Sequence, residues 1–296
     1  MNTRDLKIAS NRVSDIERYI YNELAELYEV EELKQLVRML FEGFLGWNTV
    51  QFLLHRQDTV NQSDLLKFHW AVEDLRRRRP IQYIIGHTDF CNCRINVTES
   101  TLIPRPETEE IVNWAIGQFS TPPLSILDLC TGSGCIAIAL AKQFPKARVT
   151  GVDLSEDALN IARENAHQND VNADFLQADA LHLENSLLGT EKWDLIISNP
   201  PYVCNSEKAE MQANVLDYEP EMALFVADDD PLIFYQAIAR YAAKHLNPES
   251  LLVLEINERF GCQVCYLLQK EGFDAKLEKD FHEKDRMVWA RQKSRL

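Results

Sequence analysis

Ile126-Leu127-Asp128-Leu129-Cys130-Thr131-Gly132-Ser133-Gly134-Cys135, with the apolar run 136–141 directly behind it, reads as a buried strand that turns sharply into a helix. Glycines let a backbone turn tightly and approach a ligand without side-chain interference. A dinucleotide-binding turn has the form G-x-G-x-x-G. Here only Gly132 and Gly134 are present, and the third glycine position is Ala137. Asp128, just before the turn, would repel a pyrophosphate and suit a cationic cofactor. Taken alone, the segment is also satisfied by a plain strand–turn–helix connection.

Working outward, strand-like runs recur at Ser125–Leu129, Arg148–Val152, Asp174–Gln177, Trp193–Ser198, Leu251–Ile256, Ala275–Glu278 and Met287–Arg291, most of them separated by helical stretches. Such alternation predicts a mostly parallel sheet covered by helices on both faces. Ligands of these sheets bind beyond the carboxyl ends of the strands, near the topological switch point. About twenty residues past Gly132, at the end of the second strand, stands Asp153, where a carboxylate can accept both hydroxyls of a ribose. Asp153 could equally cap the helix that begins near Ser155. Asp179, in Gln177-Ala178-Asp179-Ala180, ends the third strand and could accept the exocyclic amine of an adenine; an ordinary loop aspartate is its alternative.

The fourth strand, Leu195-Ile196-Ile197, leads into Ser198-Asn199-Pro200-Pro201-Tyr202. Two consecutive prolines fix an extended loop and remove two backbone donors. Asn199 offers a side-chain carbonyl and Tyr202 an aromatic face. This set suits an uncharged planar NH₂ group: Asn199 and the Pro200 carbonyl each accept one hydrogen, Tyr202 packs against the plane, and the nitrogen lone pair faces an electrophile.

Upstream the character changes. Residues 1–79 repeat apolar positions at three- and four-residue steps (Val13, Ile16, Ile20, Leu24, Leu27; then Leu33, Leu36, Val37, Leu40, Phe41), as buried helix faces require. Ser14 with Glu17 three positions on predicts a capping box for the first helix. Another helix is expected from about Asp64 to Arg79, stopped by Pro80. Residues 80–103 alternate as a hairpin around Phe90–Val97 and close on the rigid Leu102-Ile103-Pro104-Arg105-Pro106. A helix should run from Glu107 to about Phe119. The expected divisions are therefore a helical domain over 1–79, a hairpin linker over 80–103 and an α/β domain over 104–296.

The chain has 296 residues and a net charge of −15, with 46% hydrophobic residues. That charge argues against a phosphate-backbone binder, and the hydrophobic share argues against disorder. No stretch approaches the about 18 apolar residues of a membrane span. The polar stretch Met1–Ser10 lacks the apolar core of an export signal. The seven cysteines are then expected to be reduced thiols in the cytoplasm. Cys91, Cys93, Cys262 and Cys265 form two spaced pairs that could hold zinc, but the pairs lie far apart and no metal is expected. The basic run Arg76–Arg79 fits a solvated helix end facing its dipole.

The glycine turn, Asp153 and Asn199–Tyr202 together resemble class I methyltransferases that use S-adenosylmethionine. Pro80-Ile81-Gln82-Tyr83-Ile84-Ile85-Gly86, Leu102-Ile103-Pro104-Arg105-Pro106-Glu107-Thr108-Glu109, and Tyr218-Glu219-Pro220 with Ala223-Leu224 are similar to blocks of the peptide-chain release factor glutamine methyltransferase family. The resemblance implies a seven-stranded, Rossmann-like methyltransferase sheet behind a small helical substrate-recognition domain. It implies cofactor contacts from Cys130, Thr131, Gly132, Ser133, Gly134, Asp153, Asp179, Ala180 and Asn199, with Asn199, Pro200, Pro201 and Tyr202 at the substrate glutamine and Asn199, Pro200 and Tyr202 catalytic. It implies release factors as partners, with neither nucleic acid nor membrane. Three positions depart from the family pattern: Cys130 replaces a glycine, Ala180 a frequent aromatic, and Asp228-Asp229-Asp230-Pro231 a glycine-containing stretch. The rival readings are an adenine amino methyltransferase, a glutamine methyltransferase of a ribosomal protein, and a binding protein that keeps the fold without catalysis.

Overall fold

The computed structural model describes residues 8–186 and 188–293; residues 1–7 of the polar N-terminal stretch lie outside it. The chain separates into two units, residues 1–87 with 212–218, and residues 88–211 with 219–296.

The first unit contains α1 (Val13–Leu24), α2 (Val30–Leu45), α3 (Thr49–Leu54), α4 (Gln62–Arg76) and α5 (Ile81–Ile85). The apolar repeats named above are its core: Val13, Ile16, Ile20 and Leu24 pack with Leu33, Leu40, Phe41, Phe68 and Val72, all nearly inaccessible. The expected Ser14 capping box does not form. The cap position of α1 is Arg12, without a side-chain bond; Ser14 lies inside the helix, and its N–H, which Glu17 would serve in the box, donates to the Arg56 carbonyl. The reciprocal cap occurs instead on α3, between Asn48 and Gln51. Helix α4 ends at Arg76 rather than Arg79. Arg78 has turned to φ 62°, with its guanidinium 4.5 Å above the Tyr28 ring, and Arg79 pairs with Asp74 at 2.9 Å. The basic run is thus a folded helix terminus, and the chain leaves α4 before Pro80 is reached.

The second unit takes in β1 (His87–Phe90), β2 (Cys93–Asn96), α6 (Pro106–Gly117), β3 (Ser125–Leu129), α7 (Cys135–Gln143), β4 (Arg148–Asp153), α8 (Glu156–Gln168), β5 (Asp174–Gln177), β6 (Trp193–Ser198) and β7 (Val203–Cys204). After α9 (Ala213–Tyr218), which belongs to the helical unit, come α10 (Glu221–Leu224), β8 (Phe225–Val226), α11 (Ile233–His245), β9 (Leu246–Glu255), α12 (Gly261–Lys270), β10 (Phe273–Lys279) and β11 (Asp285–Gln292).

Seven strands form one sheet in the order β10-β11-β9-β6-β3-β4-β5, with β11 antiparallel to both its neighbours and the rest parallel. The central strands are covered on both faces, so they read as continuous apolar runs rather than alternations. Ile126, Leu127 and Leu129 of β3 and Leu195, Ile196 and Ile197 of β6 are inaccessible. After β3 the chain moves outward through β4 and β5, then returns to the other side of β3 as β6. The order therefore reverses between β3 and β6, which is where such sheets open a crevice. The register aligns Leu129 with both Val152 and Ser198, so the loops that follow β3, β4 and β6 emerge side by side.

Candidate active site

The turn after β3 explains the residue types it carries. Cys130, Gly132 and Gly134 have φ of 60°, 54° and 80°, the left-handed region that favours glycine. Cys130 thus occupies glycine-type backbone geometry while keeping a side chain. A Cβ on Gly134 would lie 2.9 Å from Ala162 Cβ and 3.2 Å from both Ile138 Cδ1 and Phe175 Cε1, whereas a Cβ on Gly132 would meet no protein atom within 4 Å. Gly134 closes the turn against α8 and β5; Gly132 leaves space. Asn165, fully buried on α8, donates its Nδ2 to Ser133 O and Asn96 O, fastening the turn to the β1–β2 hairpin.

Asp128 does not face a ligand, contrary to the expectation that it would meet a cationic cofactor. It is inaccessible, and its Oδ2 accepts the Thr131 hydroxyl and the Ala137 N–H. On a strand covered on both faces, its side chain has only the protein interior to enter. Burial pushes its carboxyl up to about 7.

A cleft opens at the strand ends, where ligands of such sheets bind. Cys130, Gly132, Asp153, Asp179, Ala180, Asn199 and Pro201 line it, together with Leu102, Leu154, Pro220, Met222 and Phe234. Thr131, Ser133 and Gly134 do not: Thr131 and Ser133 are buried and their bonds run inward. Among the described residues the lining includes acids but no Lys, Arg or His.

Asp153 holds the turn as well as the cleft. Its Oδ2 accepts Gly132 N–H at 2.8 Å and its Oδ1 accepts Ser155 N–H at 3.0 Å. It does not cap α8; Ser155 does that through Ala158 N–H. Burial raises the Asp153 carboxyl, opposed by the N–H groups of Ser155, Gly132 and Leu154. Asp179 accepts Leu181 N–H and pairs with His182 at 2.8 Å. Burial acts upward there too, but these hydrogen bonds outweigh it and hold the carboxyl below its ordinary value. Burial, reinforced by Asp153 and Asp128, drives the Cys130 thiol well up, so it stays protonated and is a poor nucleophile.

A second, smaller cavity adjoins the first. Leu102, Arg105, Asn199, Pro200, Tyr202, Val203, Ala223 and Leu224 line it. Leu102, Asn199 and Ala223 belong to both cavities, so Asn199 stands where they meet. Arg105 reaches Glu219 Oε1 at 2.6 Å while Ile103 N–H donates to its Oε2, joining the two proline-bounded loops of this wall.

Two residues that the sequence reading did not select stand behind Asn199. Its Nδ2 donates to Thr108 Oγ1 at 3.1 Å, Thr108 Oγ1 donates to Glu255 Oε2 at 2.6 Å, and the Tyr202 hydroxyl donates to Glu255 Oε1 at 3.0 Å. Glu255 is 2% exposed. Its signal was a carboxylate closing the otherwise apolar run Leu251–Leu254, a place where an unpaired charge would be costly. Thr108 lies in the segment Leu102–Glu109, where one threonine among prolines and acids carries no chemical signature of its own.

A methyltransferase domain family matches residues 120–291, and the PrmC N-terminal domain family matches residues 16–86. The chain is 40% identical over 270 residues to the release factor glutamine methyltransferase of Flavobacterium psychrophilum, covering 90% of this chain and 94% of that one. It is 38% identical to the release factor glutamine methyltransferase of Bacteroides thetaiotaomicron, covering 93% and 98%. Among solved structures it resembles the Thermus thermophilus 16S rRNA N2 G1207 methyltransferase in complex with AdoMet and guanosine. There the TM-score is 0.51 at 16% identity, covering 70% of this chain and 50% of that one, a likeness of fold.

Proposed function

Since the chain belongs to the release factor glutamine methyltransferase family, we propose that it methylates the side-chain amide nitrogen of the glutamine in the Gly-Gly-Gln motif of peptide-chain release factors, using S-adenosylmethionine. The observation that carries this reading is Asn199, shared by an acidic cleft at the strand ends and a small cavity walled by Pro200 and Tyr202.

The larger cleft fits the cofactor's chemistry. Asp153 at the end of β4 is placed for ribose hydroxyls, Asp179 for an adenine amine, and the open space at Gly132 admits the ligand's close approach to backbone. Ala180 leaves aromatic stacking at that position without a ring. Cys130, Thr131, Ser133 and Gly134 contribute the backbone course of the turn. When bound, S-adenosylmethionine supplies an electrophilic methyl group on a sulfonium.

Amide nitrogen is a poor nucleophile because its lone pair is delocalised. Asn199 Oδ1 and the Pro200 carbonyl accept the two amide hydrogens, and Pro201 and Tyr202 complete the wall around the planar group. Held this way, the nitrogen points along the direction of transfer, which is catalysis by orientation; having taken the methyl group, it gives up one of its two hydrogens as a proton. Burial and the neighbouring Glu255 keep Tyr202 well above the ordinary phenol range, so it acts as a neutral donor and wall rather than a base. The helical unit is proposed to recognise the protein substrate. Among the described residues no helix is long and apolar enough to cross a membrane.

Incubation with methyl-labelled cofactor and, in parallel, release factor, ribosomal protein or adenine-containing DNA tests the reading. Label on the glutamine of the release-factor peptide is expected. Label only on DNA or only on ribosomal protein would replace it with one of those activities, and label on none would favour a binding protein.

A further inference from the structure

The amide of Asn199 is nearly symmetric in shape, and its two ends do opposite things. With Oδ1 toward the acceptor it receives a hydrogen bond; with Nδ2 there it would push a hydrogen against the acceptor's own NH₂. Something must fix which way round it sits. The geometry points to Thr108 and Glu255 as positioning residues that set the Asn199 amide with its carbonyl toward the acceptor nitrogen, and so tune the site to an NH₂-bearing side chain. This deepens the reading given under Proposed function and rests on it.

Counting protons fixes which end of the Asn199 amide faces Thr108. An ionised carboxylate only accepts hydrogen bonds. Glu255 has a hydroxyl on each oxygen, Thr108 on Oε2 and Tyr202 on Oε1. Were it protonated, one of those hydroxyls would have to turn its hydrogen elsewhere. Thr108 has a single hydroxyl hydrogen, and Glu255 takes it. Toward Asn199, Thr108 can therefore only accept, so Asn199 must present Nδ2 to it at 3.1 Å. Among the described residues no donor is paired with Asn199 Oδ1, which is left for the site. Burial, with Glu107, raises the Glu255 carboxyl above its ordinary value, opposed by the Thr108 and Tyr202 hydroxyls and the Arg286 guanidinium; it is the hydroxyl on each oxygen that argues for the ionised form. The Tyr235 phenol lies within electrostatic reach of this carboxylate.

The arrangement has a specificity consequence. A glutamine offers two hydrogens to two carbonyl oxygens. A glutamate in the same place would set its carboxylate against Asn199 Oδ1 and the Pro200 carbonyl with no hydrogen between them. An unpaired polar group of this kind discriminates strongly between close analogues.

Thr108→Val keeps the shape and removes the hydroxyl; Thr108→Ser keeps the hydroxyl. Two readouts are taken on the full chain. The first, without substrate, is solvent exchange of the Asn199 side-chain amide protons by NMR: slow in the wild type and in T108S, and at least tenfold faster in T108V. The second is methyl transfer to release factor: kcat down at least tenfold in T108V and restored to within threefold in T108S, with cofactor affinity within twofold throughout. Wild-type exchange and kcat in T108V, or a T108S as impaired as T108V, would overturn the inference. A T108V that loses cofactor affinity along with kcat would also overturn it, since that is the mark of a general structural role. If the wild type methylated no release factor, the functional reading would fall and the acceptor role with it, while the exchange measurement would still decide whether the relay orients the amide.

Discussion

Gly132 and Gly134 share one turn, yet the structure gives them different work, and alanine at each should separate the two. Both have positive φ, so either alanine carries roughly 1–2 kcal/mol of backbone strain. Both also stiffen the unfolded chain, which returns about 0.4–1 kcal/mol. At Gly134 the new methyl would stand 2.9 Å from Ala162 Cβ, with Ile138 and Phe175 at 3.2 Å. Ala162 sits on a packed helix and has no flexible end to move aside, so overpacking adds about 1–3 kcal/mol. The net loss is about 1–4.6 kcal/mol for Gly134→Ala and about 0–1.6 kcal/mol for Gly132→Ala. Binding should show the reverse order. Gly132 lines the large cleft and Gly134 does not, so a methyl at 132 enters ligand space and should weaken cofactor binding at least tenfold, while folded Gly134→Ala binds within a fewfold of wild type. Urea unfolding gives the first quantity and calorimetry with S-adenosylhomocysteine the second. If Gly134→Ala unfolds within 0.5 kcal/mol of wild type, on the order of the error of such a comparison, or if Gly132→Ala is the less stable of the two, the division of labour argued here is wrong.

Asn199→Ala should leave the fold and cofactor binding nearly unchanged while single-turnover methyl transfer falls at least a hundredfold, because an unpaired amide hydrogen costs about 1–3 kcal/mol and misalignment adds to it; a wild-type rate would remove Asn199 from the acceptor site. Asp153→Ala should lower cofactor affinity and also destabilise the chain by about 1–3 kcal/mol, since it releases the Gly132 and Ser155 N–H groups; calorimetry showing unchanged affinity in a folded variant would exclude it from the ribose site. Asp128 is protonated more readily folded, near pH 7, than unfolded, near about 3.9. The stability tied to its proton is therefore fully present below about pH 4 and is lost as pH rises through about 7. Relative to Asp128→Asn, the wild type should lose on the order of 4 kcal/mol across that window; parallel stability curves for the two proteins would contradict the burial argument.

The sheet was legible because its inner strands are covered on both faces, which leaves apolar runs such as Leu195-Ile196-Ile197 that need no alternation to be recognised. The helical core was legible from its spacing. Caps were not: Ser14-x-x-Glu17 fits the pattern, but the helix already starts at Val13, and the Arg56 carbonyl takes the Ser14 N–H that Glu17 would have to serve. The very short elements α3, α5, β7 and β8 carry too few residues for any period to register. In the site, Asn199 and Asp153 were visible because strand ends and proline loops restrict what a residue there can do. Which way Asp128 points depends on helices packed from elsewhere in the chain. Glu255 depends on a threonine 147 positions away, a pairing that only the closed sheet brings about.

The excursion of residues 212–218 into the helical unit bears on the order in which the chain can be finished as it leaves the ribosome. Domains commonly fold as they emerge, N-terminal first. Here the first unit is not all in hand when its five leading helices are. Tyr218, whose hydroxyl donates to Arg77 O at 3.0 Å, arrives only after β3 to β6 have been synthesised. Until then the Arg77 carbonyl, just past the end of α4, lacks the Tyr218 hydroxyl carried by α9. Completing the N-terminal helices is thereby made conditional on the loop beyond Asn199–Tyr202 having been made, so vectorial synthesis cannot deliver a finished first domain ahead of the second.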